Sequence, residues 1–370
     1  MHLKDLTLIN FKNHGELRLE FSPELNIFTG NNGTGKTNLL DAIYYLCFCR
    51  SFLNPVDSQI VNHDEKFFMI QGVFQKGDRE SEVQCAFRTG QKKRFSRDKK
   101  VYERLAEHIG EFPSVVISPY DTDLITEGSD TRRKFLDSII SQFDRAFLEK
   151  LIRYNKILEQ RNALLKQFRE MRIFEAESID VWDQQLVEPC EYIFEKRRQF
   201  TSEFIPIFQR CYDAISGGKE KIDITYESHL FDGDFAKQLL DSRNRDTAAG
   251  FTTTGIHKDD LIFVINDQPV KKFGSQGQQK SFLIGLRLAQ FEIIAAKLKI
   301  TPVLLLDDIF DKLDQERVEQ IMKLLSDGSF GQVFITDTDA DRIEKVFHEI
   351  PTERKIFNLN QLANVQATQH

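Results

Sequence analysis

Cysteine is scarce, and its five copies in 370 residues fall unevenly at 47, 49, 85, 190 and 211. An odd count without regular spacing is no disulfide framework, and the expectation is a reducing, cytoplasmic compartment. No apolar run approaches the ~18 uncharged residues that a membrane span needs, so no integral membrane protein is expected. The opening Met1-His2-Leu3-Lys4-Asp5-Leu6 has an acid at its fifth position and lacks the apolar core of a signal peptide. Positive charge is not in excess either: 50 Lys and Arg against 57 Asp and Glu leave a formal net charge of −7. A chain that coated nucleic acid with its whole surface would be basic, so any DNA contact must be a local patch. Polybasic attachment to a membrane has little support for the same reason. Phenylalanine, by contrast, is plentiful: 32 copies and 41% hydrophobic residues exclude a disordered chain. The length suits two or three units, or one large unit carrying an insertion, with ample core and no need of a metal or disulfide staple.

Along the chain, Leu3 to Ile9 and Leu17 to Phe21 alternate apolar and polar as half-buried strands do, and Leu25 to Thr29 runs straight into glycines. Apolar residues at 39, 40, 43, 44 and 47 then recur at helical spacing. Strands are expected over 67–88, joined at the Lys76-Gly77-Asp78 turn. The texture changes after Gly128, since no Gly or Pro occurs from Ser129 to Glu188 and Leu148, Leu151, Tyr154, Leu158, Leu165 and Phe168 mark one face of a long helix. Helix is expected past Pro189 to about Tyr212. Strands return around 261–265, a helix over 278–298, strands over 303–306 and 333–336, and a helix around 318–325. The expected class is α/β, an ATPase domain formed by residues 1–130 and 248–370 with a helical insertion subdomain over 131–247.

Three stretches carry chemistry. Gly30-Asn31-Asn32-Gly33-Thr34-Gly35-Lys36-Thr37 fits the G-x-x-x-x-G-K-[ST] phosphate loop, between a strand and an amphipathic helix as that motif requires. Its glycines let backbone N–H groups converge on phosphate oxygens, and the helix N-terminus adds partial positive charge. Gly30 to Asn38 are therefore the expected ATP-binding residues, with Lys36 on the β- and γ-phosphates and the Thr37 hydroxyl on Mg²⁺. Val303-Leu304-Leu305-Leu306-Asp307-Asp308 is apolar enough for a strand buried on both faces of a parallel sheet, and its acids fall at the end where such sheets bind ligands. Asp307 is the expected Mg²⁺ ligand, direct or through water, and Asp308 the residue that orients or deprotonates the attacking water. Taken alone, the pair would equally serve as a helix cap. Ser275-Gln276-Gly277-Gln278 opens another helix, where Ser275 and Gly277 can offer a hydroxyl and N–H groups to phosphate. A plain N-cap explains an isolated serine there. Two phosphate-binding segments so far apart point to a nucleotide sandwiched between two copies of the chain.

Together the phosphate loop, the Ser275 signature, Asp307-Asp308 and Leu313-Asp314 resemble an ABC-type ATPase head of the SMC kind. Residues Leu8 to His14, Cys49 to Phe52, Ser118 to Asp121 and Arg132 to Asp137 are similar to the RecF family of bacterial recombination and replication-repair proteins. So are Gln160 to Leu165, His257 to Leu261 and Gly285 to Gln290, in the same order over nearly the whole chain. The resemblance implies ATP-dependent homodimers that clamp duplex DNA near single-strand gaps, and a weak, DNA-stimulated, Mg-dependent ATPase. Its setting would be DNA repair, recombination, replication restart and the SOS response, with RecO and RecR as partners and no membrane. Asp41 and Ile256 stand where that family usually has Glu and Pro. Asp308 is one methylene shorter than the Glu of transporter ATPases, and Asp337-Thr338-Asp339 follows Thr336 where those proteins carry a His. Slow hydrolysis is the expectation from both departures, and a transporter ATPase subunit is the alternative reading.

For DNA contact, local charge offers Lys92-Lys93-Arg94 with Arg97, Lys99 and Lys100, and Arg132-Arg133-Lys134. The first also reads as a solvated loop, and the second as a brace at the subdomain junction or nucleotide region. Asn10 to His14 could line an adenine pocket or simply end a strand. No chemistry is assigned to His257, Cys47 and Cys49 make a poor metal site, and Trp182 reads as a core anchor of the insertion.

Overall fold

The computed structural model describes residues 1–309, 315–326, 330–338 and 353–361. Leu313, Asp314 and Asp339 lie outside them. The chain divides into two compact units, the first made of residues 1–121 and 284–370, the second of 122–283.

The first unit holds two sheets. Five parallel strands lie in the order Arg354–Asn358, Leu25–Thr29, Val333–Asp337, Val303–Asp307, Ser114–Ile117. In the last four every residue is buried, as the mainly apolar runs require of strands covered on both faces. Register decides what meets at the carboxyl end. Asp307 pairs with Thr336, while Thr336 and Asp337 on their other side pair with Phe28 and Thr29, which lead into the glycine loop. Six antiparallel strands form the other sheet, in the order His14–Glu20, His2–Phe11, Phe67–Lys76, Arg79–Arg88, Arg94–Arg97, Lys100–Val101. Between the sheets' cores runs the helix Lys36–Phe48, ten of whose residues are buried. A Cβ on Gly72 would come within 2.7 Å of Leu46 and 2.9 Å of Leu3, so the strand holds glycine where the helix lies against it. Gln332 fastens the strands further: its amide accepts from the Leu3 N–H and donates to the Leu3 and Ser22 carbonyls, at 2.7–2.8 Å.

The second unit contains the helices Ser129–Phe143, Arg145–Met171, Ala176–Ser216 and Phe235–Ala249. The 41-residue helix runs through Pro189 and Pro206 because Ile179, Leu186, Ile193, Phe200, Phe204 and Phe208 keep one buried stripe along it. Packing of that stripe offsets the roughly 3 kcal/mol that an internal proline costs. Trp182, on the same helix, is half-buried rather than a core anchor.

This unit differs from the expected 131–247 insertion in extent and composition. Asp260–Ile265 pairs antiparallel along its whole length with Ile222–Glu227, and Gln268–Pro269 adds a third strand. Arg197 reaches Asp137 on one side and Asp259 on the other. Those bonds fix 248–283, assigned from sequence to the ATPase domain, in the second unit, which is therefore mixed α/β. The division between the units falls inside the helix Gln276–Leu298.

Candidate functional site

The glycine loop bends through Gly30, Gly33 and Gly35, with φ of 150°, 83° and 96°. At Gly35 a side chain is doubly excluded, since a Cβ would lie 2.6 Å from atoms of Asn13 and His14 as well as at positive φ. Helix Lys36–Phe48 starts there with no side-chain cap and no acid in its first turn. Its first N–H groups and its dipole thus face the loop without a built-in anion. Lys36 is nearly buried, and its ammonium donates to the carbonyls of Gly30 at 2.7 Å and Asn31 at 3.0 Å.

The strand register sets Thr37, Asp307 and Thr336 together. Asp307 Oδ1 accepts from the hydroxyls of Thr37 at 2.9 Å and Thr336 at 2.7 Å. Burial raises the Asp307 carboxyl above its ordinary range against those two bonds, which pull it down. Asp308 leaves the strand with φ 45°, and its N–H donates to Thr336 Oγ1 at 3.1 Å. Thr336 therefore ties the two acids to each other. Its place in the cluster was not foreseen, although an Ile-Thr strand end beside an acid-ended strand is a readable signal.

Three successive residues of the first hairpin meet the loop and its helix at three successive turns. His14 Nε2 is 3.2 Å from the Gly35 carbonyl, Asn13 Oδ1 accepts from Asn38 Nδ2 at 2.7 Å, and Lys12 pairs with buried Asp41 at 2.6 Å. Asp41 also accepts from Ser51 Oγ and the Phe52 N–H. The shorter acid in place of Glu is thereby fully engaged. Asn10 and Lys12 both hold φ of 52°, and each backbone is tied down, the Lys12 N–H donating to the Ile60 carbonyl at 2.7 Å and the Asn10 carbonyl accepting from the Asn62 N–H at 2.9 Å. Asn360 was also missed: its Oδ1 accepts from the Asn31 N–H at 3.1 Å, from a segment with no phosphate-loop signature.

Ser275 and Gly277 belong to the second unit. Ser275 caps Gln276–Leu298 in a reciprocal box: its Oγ accepts from the Gln278 N–H at 3.2 Å, and Gln278 Oε1 accepts from the Ser275 N–H at 2.8 Å. The serine is exposed all the same.

Other candidates resolve into scaffolding. Arg132 forks onto Asp260 at 2.7 and 2.9 Å, and Arg133 donates to the Asp259 carbonyl, so both brace the second unit. His257 sits between the Tyr154 hydroxyl and the Thr252 carbonyl, and burial lowers its pKa to about 4. In the basic run, Lys93 is turned inward onto the Cys49 carbonyl and Asp57, and Arg97 onto Glu111. Lys92, Arg94, Lys99 and Lys100 are exposed. The five cysteines are buried thiols, with Cys47 and Cys85 pushed up to about 12 by desolvation, which makes poor metal ligands or nucleophiles of them. Among the described residues, no cluster of three or more metal-ligating side chains occurs, and no helix is long and apolar enough to cross a membrane.

The RecF/RecN/SMC N-terminal domain family matches residues 2–355. A DNA replication and repair protein RecF of Phocaeicola vulgatus is 50% identical over 96% of this chain and 96% of its own. Its counterpart from Flavobacterium johnsoniae is 48% identical over 97% of this chain and 100% of its own. A solved structure of the recombination mediator protein RecF-ATP in the RecFOR pathway superposes with a TM-score of 0.86 at 29% identity, over 96% of this chain and 95% of that one. The likeness runs through both units and sets aside a transporter subunit. The chain belongs to the RecF family.

Proposed function

We propose that the protein is an ATP-gated DNA clamp of recombination, repair and replication restart, acting in the cytoplasm with RecO and RecR. Lys36 swings from the Gly30 and Asn31 carbonyls to the β- and γ-phosphates, while the loop N–H groups of Gly30 to Asn38 hold the chain of phosphates. Thr37 and Asp307 are the residues that would hold Mg²⁺. Their oxygens stand 2.9 Å apart, close to the ~3.0 Å edge between neighbouring ligands of an octahedral ion at ~2.1 Å. A desolvated carboxylate flanked by hydroxyls also suits a hard cation. When bound, that ion neutralises charge developing on the γ-phosphoryl group. Asp308 orients the attacking water. Ser275 and Gly277 of a second copy complete the γ-phosphate shell, so ATP closes the dimer on duplex DNA near a gap and hydrolysis opens it.

The observation that carries this reading is the hydrogen-bonded set Thr37–Asp307–Thr336, brought by strand register beside the lysine-bearing glycine loop. Light scattering tests it. The mass is expected to double with ATP and to rise again with a gapped duplex, and Lys36→Met is expected to abolish both changes. A mass indifferent to ATP would contradict the proposal. Turnover is expected to be slow, and a rate well above ~10 s⁻¹ would contradict the slow hydrolysis expected from Asp308 and from Asp337-Thr338-Asp339.

A further inference from the structure

We infer that Glu220 is a positioning residue for the signature serine, acting through the side-chain amide of Gln278. The inference rests on the proposed role of Ser275 as a phosphate contact for a second copy. Gln278 makes two bonds of opposite sense. Its Oε1 accepts from the Ser275 N–H at 2.8 Å, and its Nε2 donates to Glu220 Oε1 at 2.8 Å. The other carboxylate oxygen of Glu220 accepts from the Tyr212 hydroxyl. Gly217 and Gly218, both left-handed with φ of 68° and 70°, end the long helix and turn the chain so that Glu220 follows.

The two ends of an amide are alike in size, so shape alone does not decide which one faces Ser275. The carboxylate decides it. Ionised, it only accepts, and it draws the NH₂ group of Gln278 toward itself and leaves Oε1 for the serine N–H. With the backbone of Ser275 held this way, its Oγ accepts from the Gln278 N–H at 3.2 Å. The hydroxyl proton is not used in that bond and can be donated away from the helix to a phosphate oxygen. Turning the amide over would set Nε2 against the Ser275 N–H, two donors face to face, and the capping box would open. The motif Ser-x-Gly-Gln thus carries its second glutamine as the link between the serine and an acid 55 residues earlier, at the far end of a two-glycine turn.

The arrangement predicts a reciprocal rescue. Gln278→Glu places carboxylate against carboxylate. Glu220→Gln keeps its oxygen on Tyr212, presents an NH₂ group to Gln278 and so turns that amide over. Combining the two reverses the polarity of the pair: the new amide donates to the new carboxylate, which still accepts from the Ser275 N–H. Three quantities are measured for these variants and for Ser275→Ala: the ATP-dependent dimer dissociation constant by sedimentation, monomer affinity for a fluorescent ATP analogue, and the thermal midpoint. Each single change is expected to weaken the dimer by about tenfold or more with monomer affinity held and the midpoint lowered by no more than the few degrees that a lost helix cap costs. The double variant is expected to return within about threefold of the unaltered protein. Singles that do nothing, or a double variant as weak as its parents, while Ser275→Ala still weakens the dimer, would overturn the role of Glu220 alone. A dimer untouched by Ser275→Ala would overturn the reading of Ser275 beneath it.

Discussion

The two units bury charge in different ways. In the first, the strands that build the site are apolar but for Asn26, Thr29 and Thr336, and charge enters them only where the sheet stops, at Asp307 and Asp337. In the second, two arginines are almost completely enclosed. Arg161 bonds Asp183, Asp246 and Thr252, and Arg197 bonds Asp137, Asp259 and the Ile256 carbonyl. An apolar strand stack is set by hydrophobic burial and tolerates much variation in detail. A buried ion-pair network is set by a few hydrogen bonds between segments far apart in sequence, and it fails when one member is removed. The first unit therefore advertises itself in local pattern, while the second depends on pairings that no local pattern displays.

The largest expected effect breaks this contrast at its strongest point. Arg161→Met takes the guanidinium from the buried Asp246 and leaves Asp183 to Arg243 alone, and a loss of about 3–5 kcal/mol is expected. Hydrogen exchange should report it as reduced protection over 145–250, with the strands Leu25–Thr29 and Val303–Asp307 little changed. Equal loss in both units would dissolve the distinction.

Next comes acid sensitivity, which the units share. His108, between the Leu46 carbonyl and the Tyr102 hydroxyl, and His257 are both lowered to about 4 by burial. Each native imidazole refuses a proton that the unfolded chain accepts near 6.5. Their contribution is thus fully present above pH 6.5 and is lost as pH falls toward 4, on the order of 3 kcal/mol apiece. Urea melts across that window should lose less stability for His257→Gln than for the unaltered protein. Identical slopes would remove His257 from the account.

The smallest effect on stability is expected at the edge strands. Changing Lys92, Arg94, Lys99 and Lys100 together to Gln should move stability by no more than ~0.5 kcal/mol per site. If these side chains hold DNA phosphates, the salt dependence of duplex binding should flatten by up to ~0.9 for each phosphate left without its cation. An unchanged slope would return the cluster to its other reading, a solvated loop.

How much was legible follows the same line. The glycine loop, the acid-ended strand and the long proline-crossed helix were readable because each is a contiguous pattern with one physical meaning. The strands Ser114–Ile117 and Arg354–Asn358 were not, the first being four residues between prolines, the second carrying the charges of a sheet edge. The second compact unit extends past the expected 247 because Arg197 and the strand partner of Asp260–Ile265 hold that segment from a distance. Asn13 and His14 could be read as an adenine pocket or a turn; their seat on Gly35 and Asn38 emerges only once the hairpin is folded onto the helix. The capping box at Ser275 was legible as a cap, and its exposure was not.

The central claim is that each ATP site takes residues from two copies. Mixing tests it most directly: Lys36→Met cannot hold the nucleotide but offers an intact Ser275, and Ser275→Arg holds the nucleotide but cannot complete a neighbour's site. Each alone is expected to be inactive, and the mixture should hydrolyse ATP faster than the two separate preparations added together. A mixture no faster than that sum, or a Ser275→Arg protein as active as the unaltered one, would contradict a shared site.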